Sequence, residues 1–133
     1  MSALRVLIVE DEALVAMEIE AILDHAGHQP IAQADDVASA VAAAEAQKPD
    51  LALVDMQLAQ GASGLEVAAE LKERGVPVLF ATGNCPREVG RGLGLGCLHK
   101  PLTEWSLTAS LSVAEALLRG RQAPPAPSAL HLY

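Results

Sequence analysis

Aromatic residues are nearly missing from this chain: one Trp, one Tyr and one Phe in 133 residues. Its core must therefore be built from Leu, Val, Ile and Ala, which suits layered α/β packing and leaves no aromatic platforms on which bases could stack. Basic charge is scarce as well. Nine Lys and Arg face 17 Asp and Glu, for a formal net charge of −8, which disfavours binding to nucleic acid or to an anionic membrane surface. No apolar run approaches the length needed to span a bilayer. The opening MSALRVLIVEDE passes straight into a strand-like run and then acids, without a signal-peptide apolar region and cleavage site. Two cysteines give no disulfide framework, so a reducing cytoplasm is the expected location. The four histidines, His25, His28, His99 and His131, are too scattered for a zinc site.

What is present points to one folded domain. Hydrophobic residues make up 51% of the chain, enough for a single ordinary core at this length. LRVLIV at 4–9 is a continuous apolar run, the mark of a strand covered on both faces. From Ala13 to Ala26, apolar positions recur at helical spacing, with Glu18, Glu20 and Asp24 mostly on the other face and Gly27 as the stop. PIAQA at 30–34 reads as a weak strand, and Val37–Gln47 as an Ala-rich helix capped by Asp35 or Asp36. LALV at 51–54 is a buried strand, followed by a GASG turn and a helix over 65–74 that Ser63 caps. VPVLFA at 76–81 is a fourth strand. Glycines at 90, 92, 94 and 96 lower helix propensity, so only one short helix near 86–92 and much mobility are expected there. A short fifth strand at 97–99 leads to Lys100-Pro101 and a helix from Thr103 to about Arg119. The Pro-rich 120–133 reads as a disordered tail. The alternation predicts a doubly wound five-stranded parallel sheet, order 2-1-3-4-5, with helices on both faces.

Such a sheet collects its chemistry at the carboxyl ends of the strands. Glu10 and Asp11, Asp55, Thr82 and Lys100 all fall there. Asp55, where a core strand runs out, is costly to keep unless something pairs with it or uses it. Clustered carboxylates call for a hard divalent cation such as Mg²⁺. The Thr82 hydroxyl and the Lys100 ammonium suit the oxygens of a phosphoryl group, with Asp55 as the nucleophile toward phosphorus. Taken singly, each has a plainer role: a solvated helix start for Glu10–Glu12, a strand-end hydroxyl for Thr82, a surface lysine for Lys100.

VEDE at 9–12, LVDM at 53–56, FATG at 80–83 and HKP at 99–101, in this order and each at a strand end, resemble the receiver domain of bacterial two-component response regulators over roughly residues 1–119. The resemblance implies a stand-alone receiver in which Asp55 accepts a phosphoryl group from a sensor histidine kinase, passing the signal to a downstream protein target or phosphotransfer protein, or acting as a phosphate sink. It implies Mg²⁺, with Mn²⁺ able to substitute, held by Asp11, Asp55, Glu10 through water and the backbone carbonyl of Gln57. It implies phosphoryl contacts from Thr82 and Lys100 and a cis bond before Pro101. Its chemistry would be self-catalysed transfer and hydrolysis, not turnover of a separate substrate, with Gln57, Gly83 and Asn84 flanking the phosphoryl site and setting its rate. FATG is similar to a subgroup found mainly in alphaproteobacteria, whose motif continues with an apolar residue and a tyrosine; here Asn84 and Cys85 follow.

The chain departs from the family where an aromatic switch residue usually stands three before the lysine: Cys97 occupies that place. An order–disorder change in 84–99 is one replacement for rotamer switching. Cys85 and Cys97 read as small buried or half-buried fillers, the alternative being a redox pair, since both flank neighbouring strand ends. His25, His28 and His131 are expected to face solvent, and His99 to pack. Two rival functions remain. A phosphorylation-independent binding module would fit the lost aromatic. A haloacid-dehalogenase-type phosphotransferase would need an acid where Gln57 stands and a capping insertion.

Overall fold

The computed structural model describes residues 3–133. Its regular elements are β1 (Arg5–Val9), α1 (Ala13–His25), β2 (Gln29–Ala34), α2 (Val37–Gln47), β3 (Leu51–Val54), α3 (Gly64–Glu73), β4 (Val78–Thr82), β5 (Gly96–His99), α4 (Glu104–Leu118) and β6 (Leu130–Leu132). One sheet runs in the order β2-β1-β3-β4-β5-β6. The first five strands are parallel, as their apolar runs predict, and β6 adds antiparallel to β5.

Side-chain alternation splits the core into two layers. Val6 and Ile8 of β1, Leu51 and Leu53 of β3, and Leu79 and Leu98 face α1 and α4, meeting Ile19, Leu23, Leu107 and Leu111. Leu7 and Val9, Ala52 and Val54, Val78 and Phe80 face the opposite way, toward Ala40 and Ala44 of α2 and Val67 and Leu71 of α3. Burying a Leu or Phe side chain of this kind stabilises the fold by about 1.5–3 kcal/mol. Capping defines the helix starts: Asp36 and Ser39 form a reciprocal box at α2, Thr103 and Ser106 another at α4, and the Ser63 hydroxyl accepts from Leu65 N–H at α3.

One buried hydroxyl lacks a partner among the described residues: Ser110 Oγ, inside α4. Its desolvation is uncompensated. Ser110→Ala is expected to raise stability by about 1 kcal/mol, read as a higher urea midpoint at unchanged slope; an equal or lower midpoint would show that the hydroxyl is satisfied in solution.

The one short helix expected near 86–92 is a 3-10 turn, Val89–Gly92, since the glycine content leaves a longer helix too costly. Two expectations from sequence need correction. The tail is not disordered at its end, because β5 offers an edge that Leu130–Leu132 pairs, with Leu130 buried. Two of the loop glycines make room for this tail. A Cβ at Gly96 would lie 2.5 Å from the His131 carbonyl oxygen, and one at Gly90 2.7 Å from the Tyr133 ring. A Cβ at a third, Gly94, would lie 2.8 Å from the Phe80 ring. The Tyr133 hydroxyl donates to the Pro86 carbonyl, fixing the tail against the loop. Finally, Cys85 and Cys97 are not separate fillers but a disulfide, with Cα atoms 5.9 Å apart. The β4–β5 pairing, which sets Phe80 beside Cys97, brings the loop after Thr82 back over β5.

Candidate functional site

The sheet ladder continues past the ends of the strands and places the polar groups side by side. Asp55 N–H donates to the Val9 carbonyl (3.0 Å), Glu10 N–H to the Ala34 carbonyl (2.9 Å) and Lys100 N–H to the Thr82 carbonyl (3.0 Å). Three carboxylates thereby converge: Glu10, Asp11 and Asp55 each offer an oxygen, and these oxygens lie within 4.8 Å of one another. Glu10 and Asp55 are buried, Asp11 is exposed.

Lys100 crosses from β5 to meet them. Its Nζ lies 2.9 Å from Glu10 Oε2 and 3.1 Å from Asp55 Oδ2. One ammonium cannot neutralise three carboxylates. Burial pushes the Glu10 carboxyl up to about 7, opposed by its hydrogen bond from Lys100 and reinforced by the charge of Asp55. Lys100 is held above its ordinary value despite partial burial, because both carboxylates favour its charged form. The excess negative charge fits a divalent cation. The donor set is all oxygen, with two carboxylates buried and one open to solvent, as Mg²⁺ with retained waters requires.

Thr82 ends β4 next to this group and is buried. Its hydroxyl accepts from Asn84 N–H at 3.3 Å and turns toward the loop, with no hydrogen bond to Asp55 or Lys100 among the described residues. Gly83 and Asn84 are exposed at the rim. Gln57 is exposed too, in an isolated bridge to Ser63 that folds the β3–α3 turn beneath Asp55. The Lys100-Pro101 peptide is cis. Cys97 lies apart, wholly buried in the layer that holds Phe80. The histidines divide differently than expected. His28 is half-buried, its Nδ1 accepting from Leu4 N–H (3.0 Å), while His99 is exposed at a strand end, where its ring clears the sheet. No single residue type had singled out Arg87 and Arg91, which with His99 and His131 line a cavity of about 630 Å³ beside Asn84.

These strand-end groups on a doubly wound sheet are the architecture of a signalling receiver domain, and the response regulator receiver domain model matches residues 6–112. The chain belongs to that family. Among its relatives is the phyllosphere-induced regulator PhyR of Methylorubrum extorquens, 45% identical over 82 residues, which cover 60% of this chain and 31% of PhyR. The transcriptional regulatory protein PdtaR of Mycobacterium tuberculosis is 31% identical over 120 residues, 86% of this chain and 58% of that one. The chain thus spans between about a third and three fifths of these curated relatives. The solution structure of the PhyR receiver domain of Erythrobacter litoralis superposes with a TM-score of 0.76 at 33% identity, covering 96% of this chain and 98% of that one. No helix among the described residues is long and apolar enough to cross a membrane.

Proposed function

We propose that this receiver accepts a phosphoryl group on Asp55 from the phosphohistidine of a sensor kinase and signals through phosphorylation-dependent protein contacts, in the cytoplasm. The observation that carries the reading is the shared Lys100 ammonium, in contact with both buried carboxylates at the carboxyl ends of three strands. Asp55 Oδ attacks phosphorus in line, the P–N bond to the donor imidazole breaks, and an acyl phosphate forms as the imidazole leaves and takes up a proton. Lys100 then exchanges a carboxylate partner for a phosphoryl oxygen, and the Thr82 hydroxyl turns from Asn84 to the new anion. Asp11, Asp55, the Gln57 carbonyl and Glu10 through water would hold Mg²⁺, which when bound supplies positive charge against the transferring oxygens. Gln57 and Asn84 stand where they would govern access of hydrolytic water. Modification adds about −1.5 to −2 of charge to an already acidic site, and that is what moves Lys100 and Thr82.

The test is intact mass after incubation with acetyl phosphate and Mg²⁺, with an EDTA sample alongside, repeated with phosphorylated kinases. One metal-dependent phosphoryl adduct supports the reading. Failure with every donor hands the lead to a phosphorylation-independent binding module.

The raised Glu10 carboxyl makes metal binding pH-dependent. Below about 7 it carries a proton that the cation must displace, and above that it is ionised in advance. Lowering the pH from about 8 to about 6 should weaken Mg²⁺ binding roughly tenfold, measured by titration calorimetry. A flat profile would remove Glu10 from the metal site.

A further inference from the structure

Cys85 and Cys97 are the only cysteines of the chain, and their bond ties together two segments that both serve the phosphoryl site. Cys85 lies three residues beyond Thr82, and Cys97 lies on β5 three residues before Lys100. The intervening loop contains one 3-10 turn and is otherwise held by hydrogen bonds from Lys72 Nζ to the Gly92 carbonyl, from Leu95 N–H to the Val78 carbonyl, from Tyr133 N–H to the Leu95 carbonyl and from the Tyr133 hydroxyl to the Pro86 carbonyl, with Leu93 and Leu95 packed on the core.

The two sulfurs have unequal surroundings. Cys97 is completely buried, whereas Cys85 is half-buried and opens into the cavity lined by Arg87, Arg91, His99 and His131. Among the described residues neither arginine has a carboxylate within 4.0 Å, and Glu88 is the one acid in that lining. Cys85 is the sulfur that a reagent in solution can reach, and Cys97 the one that can resolve it.

We propose that Cys85 and Cys97 form a reversible redox modification site, oxidised by a small peroxide, whose state sets how readily the phosphoryl site switches. The Cys85 thiolate attacks one peroxide oxygen, the O–O bond breaks, and hydroxide leaves to take up a proton as water, giving a sulfenic acid. Cys97 sulfur then attacks Cys85 sulfur, its proton going to the departing hydroxide, so that two thiols and one hydrogen peroxide become one disulfide and two waters. A dithiol reverses this by exchange, itself becoming a disulfide. In the oxidised form the loop after Thr82 is tethered to β5, and the movement of Thr82 toward a phosphoryl group works against that tether; reduction releases it. The output, though not the thiol chemistry, rests on the phosphoacceptor reading above.

The experiment uses the full chain, reduced and then treated with stoichiometric hydrogen peroxide, with Cys85→Ser and Cys85→Ala alongside. Free thiols are counted by alkylation and intact mass, amide exchange is followed over 83–96, and Asp55 labelling by acetyl phosphate is timed. Both thiols should disappear and return with a dithiol. Exchange over 83–96 should slow about tenfold on oxidation, and labelling should slow about threefold or more; neither Cys85 variant should change in either respect with peroxide. Thiols that survive peroxide, over-oxidation without a crosslink, or loop exchange indifferent to oxidation would each overturn the proposal. Equal labelling in the two states would overturn the coupling and leave the phosphoacceptor reading standing. Loss of labelling in both states, with acetyl phosphate and with every phosphorylated kinase, would, if thiols and loop still respond, keep the redox site and sink the phosphoacceptor reading.

Discussion

Asp55→Asn should give no phosphoryl adduct under conditions that label the wild-type chain, and should at the same time make the metal-free fold more stable by about 1 kcal/mol. The loss follows from removing the carboxylate proposed as the nucleophile. The gain follows from the charge count: Glu10, Asp11 and Asp55 crowd within 4.8 Å around the single Lys100 ammonium. The amide keeps an oxygen that accepts from Lys100 while one negative charge goes. Because the Asp55 charge helps raise the Glu10 carboxyl, that group should also fall back toward its ordinary range. Urea denaturation in EDTA reads the stability, and carboxyl chemical shifts against pH read Glu10. A variant less stable than wild type would mean that Lys100 holds ionised Asp55 more strongly than its acidic neighbours repel it.

Gly64→Ala should cost about 2–4 kcal/mol, the largest stability effect expected of any single methyl in this chain. A Cβ there would sit 2.1 Å from the Asp55 carbonyl oxygen and 2.8 Å from Met56 Cα. Neither is the end of a flexible side chain, so the backbone carrying Asp55 has to move. Gly64 N–H also donates to the Met56 carbonyl at 2.8 Å, which holds α3 tightly against the end of β3. The same variant should therefore slow phosphoryl transfer by displacing Asp55 from Lys100. Denaturant midpoints and labelling rates measured on one preparation check both effects. A normal midpoint would show that the turn relaxes at little cost.

The parts legible in the sequence are those that local pattern controls. The apolar runs at 4–9, 51–54 and 76–81 were long and unbroken enough to mark β1, β3 and β4, and Val37–Gln47 matches α2 at both ends. Glu10, Asp11, Asp55, Thr82 and Lys100 could be grouped because a parallel sheet puts every strand's carboxyl end on one edge. What stayed hidden depends on distant partners. Leu130 and Leu132 are two apolar residues in a Pro-rich stretch, too few for a strand signal until β5 provides an edge. Gly90 and Gly96 looked like flexibility because sequence does not show that Tyr133 and His131 press against them. The cysteine pair was open to either reading, since a twelve-residue spacing says nothing about whether the loop returns over β5. His99 was expected to pack, but it is the last residue of β5 and is exposed there although Cys97, on the same face, is buried.

The antiparallel tail strand has a consequence for handling and turnover of the protein. Gly96–His99 would otherwise be the last strand of the sheet, offering unpaired N–H and C=O groups to any extended chain it met. The connection from Arg119 to Ser128 is largely exposed and contains three prolines, so a protease has ready access to it. A single cut there leaves the site residues in place but frees the strand that shields the edge. Nicked molecules should then self-associate through β5 at concentrations where intact ones remain apart.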